Sequence, residues 1–317
     1  MNAVVRREYG DWRKLSLESV PIPSLKKDQM LVKVEYAAID ASMDHLMQGD
    51  PTLVRLLLGL SKPKHIGVGQ SFSGTVVEVG DTRGFSVGDK VFGVGQGTFA
   101  EFATTKSTWI TKVPDGLSME QAATIPISGI TANDALKLLP AGAEHALVIG
   151  ASGAVGGFLT QLLVKRGINV TATASANKSE WVRSAGAHQV IGHDGVAKLE
   201  HKVFDVIFVL GGANPLKDLI RLLSEIGLVV LIGSDRGGSK FFGGYLASAL
   251  ETRLSKGKQR MIFSQDTPET RSSVANQIQD LASLAVVTKG LSSAIELIAS
   301  YQRGESHGRP VVSIDGN

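Results

Sequence analysis

The 317-residue chain contains no cysteine, which excludes disulfides, a thiolate nucleophile and any metal site built on cysteine ligands. It is also poor in aromatic side chains, at 6%. None is interleaved with the basic residues Arg253, Lys256, Lys258 and Arg260, so base stacking along a cationic groove is unsupported and no nucleic-acid partner is expected. That basic stretch reads as a solvated loop or as a patch that steers an anionic cofactor. Apolar runs of the roughly 18–20 residues needed to cross a bilayer are missing, and the first residues lack the basic, apolar and small-residue order of a secretion signal. The expectation is a cytoplasmic chain with no membrane partner. Charge of either sign is not in excess either: the formal net charge is +3, too little to argue for a polyanionic partner. What remains is 43% hydrophobic residues with 20% charged ones, in a chain long enough for two domains with a core each.

The most informative stretch runs from His145 to Gly157, where the apolar run Ala146-Leu147-Val148-Ile149 breaks at Gly150 and then continues into a helical pattern. A buried parallel strand, a glycine-rich turn and a helix N-terminus form the shape of a dinucleotide pocket, because exposed helix N–H groups suit a pyrophosphate. The spacing is Gly150-x-x-Gly153-x-x-Gly156, with Ala151 where the G-x-G-x-x-G fingerprint has its first glycine. The backbone of Ser152, Gly153, Ala154 and Val155 is the expected pyrophosphate contact.

In the NAD form of such a pocket, a carboxylate about 20 residues after the turn binds the ribose 2′-hydroxyl. Here the second strand ends Thr171-Ala172-Thr173-Ala174-Ser175, without a carboxylate. Ser175 and Lys178 offer a hydroxyl and an ammonium to a 2′-phosphate, with Arg183 adding charge, and this points to NADPH over NADH. Ser175 as a helix cap and Lys178 as an exposed side chain is the competing reading. Gly211-Gly212 and Ile232-Gly233 follow two further strands, where the nicotinamide and its ribose would approach most closely, or where they serve only as turns.

Up to about residue 115 the chain reads as short strands punctuated by Gly, Pro and Asp, clearest at 30–38, 73–79, 90–94 and 109–113. The leucine-rich segment 50–60 reads as a short helix. Its spacing suits core packing, with a substrate cleft or dimer contact as alternatives. Ser118-Met119-Glu120-Gln121 is a capping box at a helix start. From there strands at 146–150, 170–174, 189–192, 205–210 and 228–233 alternate with helices at 155–166, 178–186 and 216–224, the pattern of a doubly wound parallel sheet. Further on we expect a helix over 241–254, a strand near Met261, helices at 269–285 and 293–302, and a final strand at 310–314.

Several motifs carry a family resemblance: Val20-Pro21-Ile22-Pro23, Gly69-Gln70-Ser71-Phe72-Ser73-Gly74-Thr75-Val76-Val77-Glu78-Val79-Gly80, Val87-Gly88-Asp89-Lys90-Val91-Phe92-Gly93, Gly97-Thr98-Phe99-Ala100-Glu101-Phe102, Gly129-Ile130-Thr131-Ala132, the glycine turn, and Ala185-Gly186-Ala187. Over nearly its whole length the sequence resembles the zinc-free quinone oxidoreductases of the medium-chain dehydrogenase/reductase superfamily. The resemblance implies an α/β fold with a GroES-like β-rich catalytic domain over 1–117, completed by about 287–317, and a Rossmann NADP-binding domain over 118–286. It places the active site in the interdomain cleft.

Zinc-dependent relatives carry a cysteine at the position of Ala41 and Gly-His-Glu at Gly69-Gln70-Ser71, so those three ligand positions hold no usual zinc donor here. Met43 stands where an alcohol dehydrogenase keeps a proton-relaying hydroxyl. By resemblance Asp40 and Asp44 lie near the cleft, as catalytic groups or as turn and ribose-positioning ones. Gln70 is a candidate to orient a carbonyl, and Thr131 lies close to the nicotinamide. Ala41 replaces the asparagine usual in zinc-free relatives. His193 replaces a tyrosine, facing the adenosine phosphate or simply solvated. The implied chemistry is hydride transfer from NADPH to a quinone or enone by a homodimer. The alternatives are a non-catalytic NADPH-binding protein and a zinc-free alcohol dehydrogenase or carbonyl reductase.

Overall fold

Period-2 alternation and β-branched residues give the first half its strands. The computed structural model describes residues 1–50, 52–201, 203–211, 214–232, 258–262 and 266–314. In it β1 (Asn2–Arg6) and β2 (Leu15–Ser19) form an antiparallel pair. β3 (Met30–Ala38), β4 (Ser71–Val79), β5 (Lys90–Val94) and β7 (Ile110–Lys112) are successive antiparallel neighbours, and β6 (Phe102–Thr105) also pairs with β3. The chain returns much later to extend this sheet: β15 (Arg309–Ser313) lies antiparallel to β3, and β14 (Ala285–Lys289) lies parallel to β15. Val32, Val34, Phe72, Phe99, Ile110 and Val312 fill its core together with Met43 and Met47.

Those two methionines stand four residues apart on α1 (Ala41–Gln48), which is capped by Asp40 and ended by Gly49 at φ +62. The spacing puts both on the buried face. The segment over 50–60 departs from the core reading. A 3-10 turn (Thr52–Val54) leads into the single-turn α2 (Arg55–Leu58), while Leu53, Leu56, Leu57 and Leu60 are 55%, 59%, 80% and 71% exposed. Gly59, at φ +119, ends the helix before its apolar face can lengthen into a packed stripe.

The parallel sheet consists of β8 (His145–Ile149), β9 (Asn169–Thr173), β10 (Gln189–Ile191), β11 (Phe204–Val209), β12 (Leu223–Leu231) and β13 (Gln259–Met261), in the order β10-β9-β8-β11-β12-β13. Every pairing is parallel. Its central strands β8 and β11 read as near-continuous apolar runs, as expected when both faces are covered. The helices of this unit are α4 (Ile130–Leu136), α5 (Ala154–Lys165), α6 (Ser179–Ser184) and α7 (Leu216–Ile220). α7 is shorter than the expected 216–224 because Leu223 already enters β12. The helix expected over 241–254 and part of the basic stretch, including Arg253 and Lys256, lie outside the described residues.

Asp205, near the start of β11, fixes the entry to β8. Its carboxylate accepts from the backbone N–H of Glu144 (2.9 Å) and His145 (3.0 Å) and from the Ser224 hydroxyl (2.6 Å). Burial opposes ionisation, yet these donors outweigh it and hold the carboxyl below its ordinary range. A depressed folded-state value means the contribution is complete above the unfolded value of about 3.9 and is lost as pH falls through the lower folded value. The urea midpoints of wild type and Asp205→Asn should therefore differ near pH 6 and converge toward about pH 3. A gap independent of pH would contradict this.

The chain divides into Met1–Ile130 with Gln265–Asn317, and Thr131–Ser264, rather than at 117/118 and 286/287. Two helices account for the difference. α3 (Met119–Thr124), held by the capping box of Ser118 and Gln121, packs on β3 and β4. α8 (Pro268–Ile278) packs on β7, where its buried Arg271 donates to Thr108 O (2.6 Å) and Thr111 Oγ1 (3.2 Å). α8 also stops short of the expected 269–285, because the β-branched run in Ala285–Lys289 forms β14. α9 (Ala294–Gln302) precedes the last strand.

Candidate functional site

In the parallel-sheet unit, β8 leaves the sheet at Gly150, which adopts φ +90, and the Gly150 N–H donates to Thr173 Oγ1 at 3.1 Å. Gly153, extended at φ −83 and ψ 171, precedes α5 without a side-chain cap, so the first N–H groups of a 12-residue helix point outward with its dipole. A Cβ on Gly156 would lie 2.4 Å from Gly150 O and 2.7 Å from Ala151 Cα; only glycine lets α5 pack this closely on the turn. A Cβ on Gly153 would meet only Gly150 O at 3.6 Å, leaving that backbone open to an approaching group. β8 has β9 on one side and β11 on the other, so the turn sits where strand order reverses, the usual crevice for a ligand in such sheets.

The other positions expected to hold a nucleotide share this carboxyl edge. Gly211 follows β11, close enough that a Cβ on Gly150 would stand 3.5 Å from its nitrogen. Ile232 is buried at the end of β12 and donates its N–H to Val209 O at 2.8 Å. Gly212 and Gly233 lie outside the described residues. Beyond β9, Ser175 Oγ bonds Asn177 Oδ1 at 2.6 Å, and Ser175 O accepts from the N–H of Lys178 at 3.0 Å. Lys178 is half-buried, and that burial lowers its ammonium below the ordinary value. Ala174 N donates to Ile191 O at 3.1 Å, so exposed His193, just past β10, sits at the same edge as Ser175. Ser152, Ala154, Val155 and Thr131 are half-buried, Thr131 as the second residue of α4.

In the antiparallel-sheet unit, Asp40 is 1% exposed and Arg309 0%, with Arg309 Nη2 3.6 Å from Asp40 Oδ2. Ser71 Oγ lies between them, donating to Asp40 Oδ2 at 3.0 Å and accepting from Arg309 Nη2 at 3.1 Å. The other Asp40 oxygen accepts from Met43 N (2.9 Å) and from the Ser42 hydroxyl. Ser42 Oγ is also 2.9 Å from the Gln70 amide. The acceptor is Gln70 Oε1, so the Ser42 hydroxyl is shared between the Asp40 carboxylate and the Gln70 amide oxygen. Burial lowers the Arg309 guanidinium, against the opposing pull of Asp40, but an arginine starting so high keeps its charge. Burial also pushes the Tyr301 phenol up to about 12. Asp44 accepts from Gln48 Nε2 at 3.0 Å and from Gln302, tying α1 to α9.

Arg309 also reaches the segment between α3 and α4. It donates to Ser128 Oγ and, at 3.3 Å, to Pro126 O, bracketing Ile127. Among the described residues Ile127 is the one non-glycine with positive φ, at φ 63 and ψ −65. For a β-branched residue that region costs on the order of 1–3 kcal/mol. Sequence reasoning missed Arg309, Ser42, Ser71, Ser128 and Ile127; the one visible signal was an arginine opening an otherwise apolar final strand.

Residues 26–115 match the alcohol dehydrogenase GroES-like domain family. The quinone oxidoreductase of Homo sapiens is 33% identical over 252 residues, covering 74% of this chain and 73% of that one. The chain belongs to the quinone oxidoreductase-like members of the medium-chain dehydrogenase/reductase superfamily. It is thus an oxidoreductase by family. Its fold is that of the quinone oxidoreductase from Coxiella burnetii, with a TM-score of 0.84 at 24% identity over 99% of both chains. The yhdH oxidoreductase from Salmonella enterica, solved in complex with NADP, gives a TM-score of 0.79 at 23% identity over 99% of this chain and 100% of that one.

Proposed function

We propose that this quinone oxidoreductase-like protein uses NADPH to reduce a quinone or an activated alkene without a metal. The observation that carries the reading is the glycine cradle at the uncapped N-terminus of α5, beside a β9 end that offers Ser175 and Lys178 and no carboxylate. The NADP complex of a protein with the same fold supports the choice of cofactor.

The residues fit the nucleotide. N–H groups of Ser152 to Val155 bind the pyrophosphate, Lys178 and Ser175 hold the 2′-phosphate with His193 at the same edge, and Gly211 and Ile232 border the nicotinamide ribose. Thr131 orients the nicotinamide. When bound, the reduced nicotinamide supplies a hydride. Gln70, with its Oε1 accepting from the Ser42 hydroxyl, keeps its amide N–H groups for the acceptor's oxygen as negative charge develops there. Water then supplies the proton that completes the hydroquinone or the saturated ketone. Asp40 acts at a distance, fixing Ser42 and through it Gln70. Asp44 positions α1.

Zinc does not fit these residues. Gln70 and Ser71 are a neutral amide and a hydroxyl already engaged, and a buried guanidinium lies 3.6 Å from the nearby carboxylate; a dication beside that guanidinium would be repelled.

Lys178→Ala should weaken NADPH binding by about tenfold or more, the worth of a charge-assisted hydrogen bond, and leave NADH affinity nearly unchanged. Nicotinamide fluorescence titration reads both. Equal losses for the two nucleotides would contradict the 2′-phosphate contact. Turnover follows from NADPH oxidation with a panel of quinones, enones and simple aldehydes. Binding without turnover on any acceptor would make the protein a non-catalytic NADPH binder, and preference for aldehydes would make it a carbonyl reductase.

A further inference from the structure

Between Ala122 and Ile130 every residue is buried except Ile127, and Ile127 is also the residue forced to φ 63. The two facts belong together. At the strained turn the Ile127 side chain stays half-buried while every neighbour is fully buried. The strain is held in place from both sides: Arg309 grips Pro126 O and Ser128 Oγ, and the same guanidinium binds Ser71, next to Gln70. A buried ion pair thus ties a half-buried, partly accessible apolar side chain to the amide that faces the acceptor's oxygen in the reading above.

We propose that Ile127 is a specificity-determining residue, the apolar wall against which the ring or alkyl face of the acceptor packs, and that Arg309 is the positioning residue that keeps it there. The proposal rests on the hydride-transfer reading. Strain concentrated in a residue with nothing to contact would be selected away, since glycine takes this conformation without penalty. An apolar β-branched side chain kept there points to contact with an apolar partner.

The test compares wild type, Ile127→Ala and Ile127→Gly. The glycine variant tolerates the backbone conformation, so at least one variant keeps the fold. For each, kcat/KM is measured with 1,4-benzoquinone and with the bulkier 9,10-phenanthrenequinone, together with the NADPH Kd. Shortening the wall should shift the ratio of the two kcat/KM values toward the bulky acceptor by about tenfold or more, the scale of losing several carbons from an apolar contact, at unchanged NADPH Kd. Rescue of the wild-type ratio by Ile127→Val, but not by glycine, would separate side-chain contact from backbone strain. A ratio constant within about twofold in a folded, turning-over variant overturns this inference alone. Wild type that binds NADPH but reduces neither acceptor overturns this inference together with the reading on which it rests.

Discussion

Replacing Arg309 with methionine will lower the unfolding free energy by about 3–5 kcal/mol, the cost of leaving a buried charge without its partner. Asp40 would keep its carboxylate at 1% exposure with only Ser42, Ser71 and the Met43 N–H to stabilise it. Ser128 Oγ and Pro126 O would lose their donor at the same time. The attraction across the pair does not itself supply that energy, because desolvating two ions offsets most of it. Removing both charges, as Asp40→Asn with Arg309→Met, should therefore recover much of the loss. Urea midpoints at constant m-value measure each variant. A loss under about 1 kcal/mol for the single variant would mean that water reaches Asp40 and that the cluster is not the sealed network described.

Gly153→Ala and Gly156→Val separate what the glycine turn does for folding from what it does for a ligand. At Gly156 the new carbons meet fixed backbone, 2.4 Å from Gly150 O, so α5 must shift, at a cost of about 1–3 kcal/mol or more. Stability and NADPH binding should fall together. At Gly153 the φ is an ordinary −83 and the nearest atom is 3.6 Å away. Exchanging glycine for alanine at that cap costs about 1 kcal/mol or less. The added methyl nevertheless stands where a pyrophosphate would approach the backbone, so the NADPH Kd should rise about tenfold or more with the melting temperature nearly unchanged. Unaltered affinity in Gly153→Ala would place the diphosphate elsewhere.

What could be read from the sequence was what short stretches encode. The glycine spacing, the missing carboxylate after β9 and the capping box at Ser118 each depend on residues close in the chain. The alternation of apolar strands with helices fixed the parallel sheet in the same way. Segments whose fate depends on distant neighbours were harder. The leucines over 50–60 have the spacing of a core helix, but nothing in that pattern shows that Gly59 stops the helix after one turn. The 269–285 stretch carries helical and β-branched signals in succession, and the pairing of β14 with β15 decides where one yields to the other. Least legible was the cluster around Asp40. It joins α1 to an arginine near the other end of the chain, and no local pattern announces that the carboxylate is neutralised by a guanidinium. Asp40 read as either a catalytic or a positioning group; its burial and its partners Ser42, Ser71 and Arg309 favour the second.

Calorimetric titration of the purified protein with NADPH and, separately, with NADH addresses the cradle at α5 and the lysine beyond β9 in one measurement. The account predicts saturable binding of NADPH at one site per chain, about tenfold or more tighter than NADH. Absence of saturable heat with either nucleotide, or tighter binding of NADH, would contradict it.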